Sequence, residues 1–453
     1  MTQLMKDKAR EIIDDYAAEI ELRKTRGAVP LKGVINFRDE KAKGKERDIF
    51  DIPLSLLRYR KDNGRISSDV SSYESVHLEE LDETKEETQK ILYDFLKKKD
   101  PEKTAILKKS IKKEGQTDPA IITCDGFLIN GNRRRMVLEL LSEEESAKYT
   151  TMRVIILPGR DAEGGPPTIK EIELLENRYQ LQQDGKSEYA GLDRALSIRR
   201  KIECEISLEE QLQDDPVCAE MTIASKEFKK KVKEIQKLFL LPLECADTYL
   251  DIIERPGHYD SISERWQAFI DFSNFYNGKL KDKAWQLKAG LTDSDIGTIQ
   301  DICFNIIRKR SIKGRSAKLN EIIRRIPIFL LNDDAKNELF ELSSSIESLT
   351  DSEKYSRDGK EYSFNDQDQI WGTKNETLFA KCINSAYSFL ETQREDESAL
   401  ALMKSANKKL NHSNMDIDKI PKSKLNEFLK ETEQLIKKAN DLKNAVWQKM
   451  RGS

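Results

Sequence analysis

The apolar positions of this chain fall into three successive patterns. Up to residue 115, amphipathic stretches alternate with turn-rich sequence. Residues 1–25 place charged and apolar residues at helical spacing, and 80–98 are helical by composition. Asp100-Pro101 opens a further helix that ends at Gly115, a residue suited to the position after a helix C-terminus. Between these lie the Gly/Pro-marked GAVPLKGVINF, the charged run RDEKAKGKERD and the apolar IFDIPLSLLRY. Next comes KDNGRISSDVSSYES, whose Asn63-Gly64 pair and serines predict a loop. From Gly115 to Pro158 the period shortens. Pro119–Thr123 predicts a strand, Asp125-Gly126 a hairpin turn, Phe127–Ile129 the return strand, and Met152–Leu157 a third strand. Within this stretch Gly131 breaks the strand pattern, and NRRRMVLELLSEEESAKY predicts a helix with Met136, Val137, Leu140 and Leu141 on one face.

After the linker GRDAEGGPP the pattern is helical almost throughout. TIKEIELLENRYQLQ, SEYAGLDRALSIRRKIE, SLEEQLQDD, SKEFKKKVKEIQKLF and LECADTYLDIIE follow in succession, and Pro256-Gly257 marks a boundary. Trp266, Phe269, Phe272, Phe275 and Tyr276 recur at helical spacing and read as core rather than as a base-stacking surface. Beyond the polar loop SRDGKEYSFNDQDQ, further helices close the chain. The last, LNEFLKETEQLIKKANDLKNAV, carries an apolar stripe suited to a helical hairpin or coiled-coil contact. The expected fold class is an α+β N-terminal domain followed by a mainly α-helical remainder. Four parts are expected: an N-terminal helix and linker (1–49), the α+β domain (50–186), a helix-turn-helix-like helical domain (187–256) and a helical C-terminal domain (257–453).

Composition narrows the function classes. Of the 453 residues, Lys plus Arg number 78 and Asp plus Glu 81, a formal net charge of -3, which excludes a polycation that binds nucleic acid by overall charge. Any nucleic-acid surface is then a local patch. No apolar run approaches the ~20 residues of a membrane span, and the N-terminal stretch has no signal-like apolar core. Six cysteines without a C-x-x-C pair and three scattered histidines argue for a reducing, cytoplasmic setting and against structural zinc.

The most distinctive chemistry lies at I-N-G-N-R-R-R (129–135). A glycine turn from a strand into a helix leaves the first helical amides unpaired, and with the helix dipole they form an anion site. Arg133, Arg134 and Arg135 crowd that first turn, where cations oppose the dipole unless something negative occupies the junction. The alternative is a solvated helix start whose arginines pair with surface acids such as Glu143, Glu144 and Glu145. Further on, Lys226, Lys229, Lys230, Lys231 and Lys233 on one predicted helix suit a phosphate backbone, and a lysine-rich solvated face is the alternative. The stretch 306–326, with Arg308, Arg310, Arg315, Arg324 and Arg325, is a second basic candidate.

The G-N-R-R segment after D-G-F-L-I-N resembles the G-x-R-R box of the ParB/sulfiredoxin superfamily, especially ParB N-terminal domains. Ile52–Leu57 followed by Asn63-Gly64-Arg65 resembles that family's opening strand and N-x-R segment. Leu107–Pro119 is similar to its L-x-x-S-I-x-x-x-G-Q-x-x-P block, and Glu176-Asn177-Arg178-Tyr179-Gln180 stands where it carries E-N-x-Q. The four blocks cover residues 50–200. The resemblance implies a CTP or ATP pocket with Mg²⁺ carried by the nucleotide. Gly115 and Gln116 would line the base and sugar, and Gly131, Asn132, Arg133 and Arg134 would hold the phosphates. Glu176 and Asn177 would act catalytically, with Asn177 toward the metal. Asn132 stands where partitioning ParB proteins have a metal-facing glutamate, which implies slow hydrolysis, and the sulfiredoxin cysteine is absent.

The leading expectation is a nucleotide-regulated DNA-binding protein, with Lys226, Lys229, Lys230 and Lys233 on the DNA and a homo-oligomer or partner protein met through the C-terminal helices. The alternatives are an enzyme of the same fold (NTPase, phosphotransferase or nuclease) and an adaptor in a multigene system such as phage defence.

Overall fold

The computed structural model describes residues 9–26, 31–38, 45–145, 148–181, 191–215, 217–218, 220–356, 358–411 and 417–451. Parts of several expectations lie outside these residues: the start of the first helix (1–8), the middle of the charged run (39–44) and the expected boundary at 186. The chain divides into two units, Met1–Ala386 and Tyr387–Ser453.

A small mixed sheet organises the front of the first unit. Its strands are β1 (Lys32–Ile35), β2 (Lys45–Pro53), β3 (Ala120–Ile122), β4 (Leu128–Asn130) and β5 (Thr151–Ile156), in the order β1-β2-β5-β3-β4. Neighbours run antiparallel except β3 and β5, which are parallel. The two-residue period of the strands sends alternate side chains to opposite faces. Ala120, Ile122, Leu128, Met152 and Val154 join a core closed by α1 (Asp14–Arg23), α2 (Ser67–His77), α3 (Glu86–Lys98), α4 (Pro101–Glu114) and α5 (Asn132–Glu144). Ile121, Ile129 and Ile155 face the other way and meet Ile172 and Leu175 of α6 (Ile169–Leu181).

Helices make up the rest. α7 (Gly191–Glu203), α8 (Leu208–Gln213) and α9 (Lys226–Ile235) share a core of Ile198, Leu208, Leu212, Cys218, Phe228 and Val232. α10 (Leu241–Ile252), α11 (Trp266–Phe275), α12 (Lys283–Lys288), α13 (Asp295–Lys309), α14 (Leu319–Phe329), α15 (Asp333–Ser345) and α16 (Phe364–Lys374) complete the first unit with the start of α17 (Glu376–Leu410). Trp266, Phe269, Phe272 and Phe275 are buried, as their spacing predicts. The second unit holds the rest of α17 and α18 (Leu425–Arg451). Among the described residues, no helix is long and apolar enough to cross a membrane.

Three local expectations are corrected. The segment after Asn63-Gly64 is a helix, α2, rather than a loop throughout. Its serines are partly buried and hydrogen-bonded: Ser72 Oγ donates to the Ser68 carbonyl at 2.8 Å, and Ser68 Oγ donates to Asp193 Oδ1 at 2.6 Å. Tertiary partners thereby override their weak helix propensity. The charged run also ends in a strand. Lys45–Asp48 of β2 pair only with β1, while Ile49–Pro53 pair with β5, so Lys45 and Glu46 stay exposed and Arg47 lies over the Phe37 ring. β2 thus crosses the expected 49/50 boundary. Finally, the two helices expected over 225–239 and 243–254 are one. A π-helical turn (Gln236–Leu240) joins α9 to α10, giving continuous helix from 226 to 252. Proline lacks an N–H and crowds the carbonyl four residues earlier, and the wider turn just before Pro242 accommodates both.

The N-terminal segment belongs to the same body. Arg10 makes two hydrogen bonds to the fully buried Asp125 carboxylate, at 2.7 and 2.8 Å, and its guanidinium lies 4.1 Å from the Phe127 ring centroid. The 125–126 hairpin is thereby anchored by a residue far away in sequence.

Candidate functional site

The β4–α5 junction turns at Gly131, whose φ is 100°. A Cβ there would lie 2.7 Å from Ala120 Cβ and 3.1 Å from Met152 Cε, so both backbone and packing demand glycine. Gly131→Ala is expected to destabilise the fold by about 2–4 kcal/mol, combining left-handed strain with overpacking. Urea unfolding checks this, and a loss below about 1 kcal/mol contradicts it.

The first turn of α5 distributes its polar groups in four directions. Asn132 is buried, and its Oδ1 has no hydrogen-bond partner among the described residues. Arg133 Nη2 donates to Asp100 Oδ2, and Arg65 Nη1 lies 3.5 Å from the same oxygen. Partial burial raises the Asp100 carboxyl, but the Arg133 hydrogen bond and the charges of Arg133, Lys103 and Arg65 outweigh it and hold it below the ordinary range. Arg134 Nη1 donates to the Asp118 carbonyl at 2.6 Å. Arg135 turns to another face, where its guanidinium lies 3.9 Å from the Tyr59 ring centroid and 2.9 Å from Glu139 Oε1.

Gly115 and Gln116 have structural duties. Gly115 ends α4 at φ 74° and ψ -168°, a backbone state essentially reserved for glycine. The Gln116 amide donates to the carbonyls of Asp118 (2.9 Å) and Arg153 (2.7 Å) and accepts from Arg153 N–H (2.8 Å). It thereby extends the hydrogen bonding of β5 like an additional strand residue.

A buried charge network lies beside the junction. Glu176 Oε1 accepts the Gly64 N–H at 3.1 Å, and its Oε2 is 3.6 Å from Arg60 Nη1. Arg60 Nη2 donates to Glu173 at 2.9 Å, and Arg200 of α7 reaches both Glu173 (3.6 Å) and Asp62. Burial and the Glu176 charge push Glu173 above the ordinary carboxylate range, against the pull of Arg200 and Arg60. The loop 60–65 is thus clamped between α6 and α7. Asn177 has a different setting: its Nδ2 donates to the Gln211 carbonyl at 2.9 Å. It lines a cavity of about 40 Å³ with Ser197, Lys201 and Gln211, room for little more than a water.

Of the residues singled out in the sequence, Arg133 therefore meets Arg65 at Asp100, and Glu176 of α6 holds the N–H of the preceding loop residue, Gly64. Arg134 and Gln116 share the Asp118 carbonyl. Asn177 is engaged with α8, and its position gives no support to a metal ligand. Sequence reading missed Asp100, which reads there only as a helix start, and the partners Arg60, Glu173 and Arg200. It also missed an open cleft of about 690 Å³ floored by Tyr59, Gln89 and Arg135 between α3 and α5. The Cys124 thiol is pushed up to about 11, chiefly by burial and then by Asp125, which makes it a poor nucleophile.

The two basic candidates differ. Lys226, Lys229, Lys230 and Lys233 are exposed on α9, away from buried Phe228 and Val232, and none has an ion-pair partner among the described residues. In the stretch 306–326, Arg308 pairs with Asp368, Lys309 with Glu376 and Arg324 with Asp271, while Arg310 and Arg315 bond Asn365 and Asn384. That stretch is largely internal glue. The helix-turn-helix expectation is also displaced. A short turn (204–207) joins α7 to α8, whereas the longer 214–225 connects α8 to the lysine-bearing α9, beyond the three or four residues of such a turn.

Comparison with protein-family models, curated proteins and solved structures finds no match to this chain.

Proposed function

We propose that the β4–α5 junction binds the phosphates of a nucleoside triphosphate, CTP or ATP, and that the protein engages DNA through α9 under control of that nucleotide. One observation carries the reading: Arg65 and Arg133, the latter in the first turn of α5, converge on a single carboxylate oxygen of Asp100. Two guanidinium groups focused on one anionic oxygen suit a phosphate, which offers more acceptors in the same place. Asp100 is then the internal stand-in that a phosphate displaces.

A magnesium ion arriving with the nucleotide calls for hard oxygen ligands. The orphaned Asn132 Oδ1 fits that need in kind, and the Glu176 carboxylate does not, being engaged with Gly64 and Arg60. A neutral amide in this position goes with slow turnover. Titration calorimetry with each of the four nucleoside triphosphates plus Mg²⁺, with and without duplex DNA, tests the reading. Saturable binding of one base is expected, and no binding of any of the four overturns it.

The DNA arm has its own measurement. Affinity for duplex should fall with salt at a slope of roughly -0.9 per phosphate neutralised. Replacing Lys229, Lys230 and Lys233 by Ala should flatten that slope and weaken unrelated sequences about equally. An unchanged slope removes α9 as the DNA surface.

A further inference from the structure

α18 is a helix of 27 residues in which no residue is buried. Every third or fourth position from Leu425 to Val446 is nevertheless apolar or small, through Phe428, Leu435, Ala439 and Leu442. The one exception is Thr432, which is compatible with such a seam. Ile436 widens the stripe on one side. Leu435, Ile436, Leu442 and Val446 are each about half exposed. A face of this regularity is the seam of a helix pair, since a solvated helix has no use for a 3-4 repeat.

We propose that this face is covered by α18 of a second copy of the chain, packed antiparallel. The proposal goes beyond nucleotide or DNA binding and depends on neither. Three features favour this occupant and orientation. The first is complementarity of size. Laid antiparallel about a centre near residue 437, large residues fall opposite small or slender ones: Leu435 opposite Ala439 of the second copy, Phe428 opposite Val446, and Leu442 opposite Thr432.

The second is charge. A parallel pair sets Lys449 against its own copy inside the seam and Lys438 against Lys443 at both edges. The antiparallel pair places Lys449 opposite Leu425 at the two ends, where the ammonium reaches water. It leaves one like pair, Lys438 with its copy, at the solvent edge, and it sets the two helix dipoles in opposition.

The third is area. Half the surface of a cylinder about 40 Å long and 11 Å across is on the order of 700 Å² per copy, close to the ~800 Å² per side of a stable interface.

Sedimentation of the full chain over a range of concentrations tests the pairing. A monomer–dimer equilibrium is expected, with Leu435→Glu plus Leu442→Glu weakening dimerisation ~100-fold or more by placing charges in the seam. Because Leu435 and Leu442 are not buried among the described residues, the variant should keep the parent's melting of the first unit. For orientation, Leu435→Cys plus Ala439→Cys is oxidised and the bridge mapped by mass spectrometry. A 435–439 bridge between chains is expected, and a 435–435 bridge overturns the antiparallel arrangement. A parent that stays monomeric overturns the proposal, and so does a variant that still dimerises. A monomer that sediments with phosphatidylglycerol vesicles would assign the face to a lipid surface instead.

Discussion

Arg133→Ala and Arg134→Ala are each expected to weaken the proposed triphosphate binding by about 1.5–3 kcal/mol, roughly tenfold to a hundredfold or more. Both side chains stand in the first turn of α5, and each holds a protein oxygen, Asp100 Oδ2 or the Asp118 carbonyl. Under the proposed nucleotide binding those hydrogen bonds would pass to phosphate oxygens, whose greater charge would strengthen them. The effect should therefore appear in affinity for triphosphate more than for nucleoside. A third variant separates competition from positioning. Asp100→Asn removes the anion that holds Arg133 and Arg65, so it should raise triphosphate affinity severalfold. Calorimetry at fixed Mg²⁺ reads all three. If both arginine variants bind every nucleotide as the parent does, the junction is not the site.

Arg60→Ala should cost about 3–5 kcal/mol of folding stability, the usual penalty for removing one partner of a buried ion pair. Glu173 and Glu176 are 1% and 2% exposed, and Arg60 faces both. Without it, Glu173 keeps Arg200, 3.6 Å away, and the weaker field of Lys201. The pH dependence follows from the direction of the Glu173 shift. Its folded pKa is raised, so the native state holds a proton that the unfolded state has released. Stability from this group is fully present below the unfolded value of ~4.3 and falls as pH rises through the folded value. Removing Arg60 raises Glu173 further and widens that window. The difference between variant and parent should therefore shrink in acid and grow toward neutrality. Urea midpoints across pH 4–8 check it, and a loss below about 1 kcal/mol, or one that does not vary with pH, contradicts the network.

Much of the fold was legible in the chain. Gly115, the 119–123 and 127–129 strands with their Asp125-Gly126 turn, and the helix after Gly131 all appear where their local signals predict. Each depends on residues within a few positions of one another: a turn pair, a glycine that permits a positive φ, a period of two or of 3.6. α2 was not legible, because its serines favour turns until Asp193, more than a hundred residues on, accepts a hydrogen bond from one of them. The unbroken passage from α9 into α10 was hidden for a related reason. The sequence reads as two helices on either side of Leu240–Pro242, and the π turn just before Pro242 keeps them one.

The candidate site divides along the same line. The sequence by itself determined that a glycine turn feeds three arginines into a helix start, and that five lysines share one helix, because covalent adjacency and helical period suffice for both. Only the tertiary structure decided which arginine does what. Topology brings Asp100 and Arg65 to Arg133, gives Arg134 the Asp118 carbonyl and sends Arg135 to Tyr59 and Glu139. It also tied Asn177 to Gln211 and the 306–326 cations to their internal partners, while leaving the lysines of α9 in solvent. The physical reason is that a charge finds its lowest free energy with the nearest opposite charge in space, and that neighbour is set by how the layers pack.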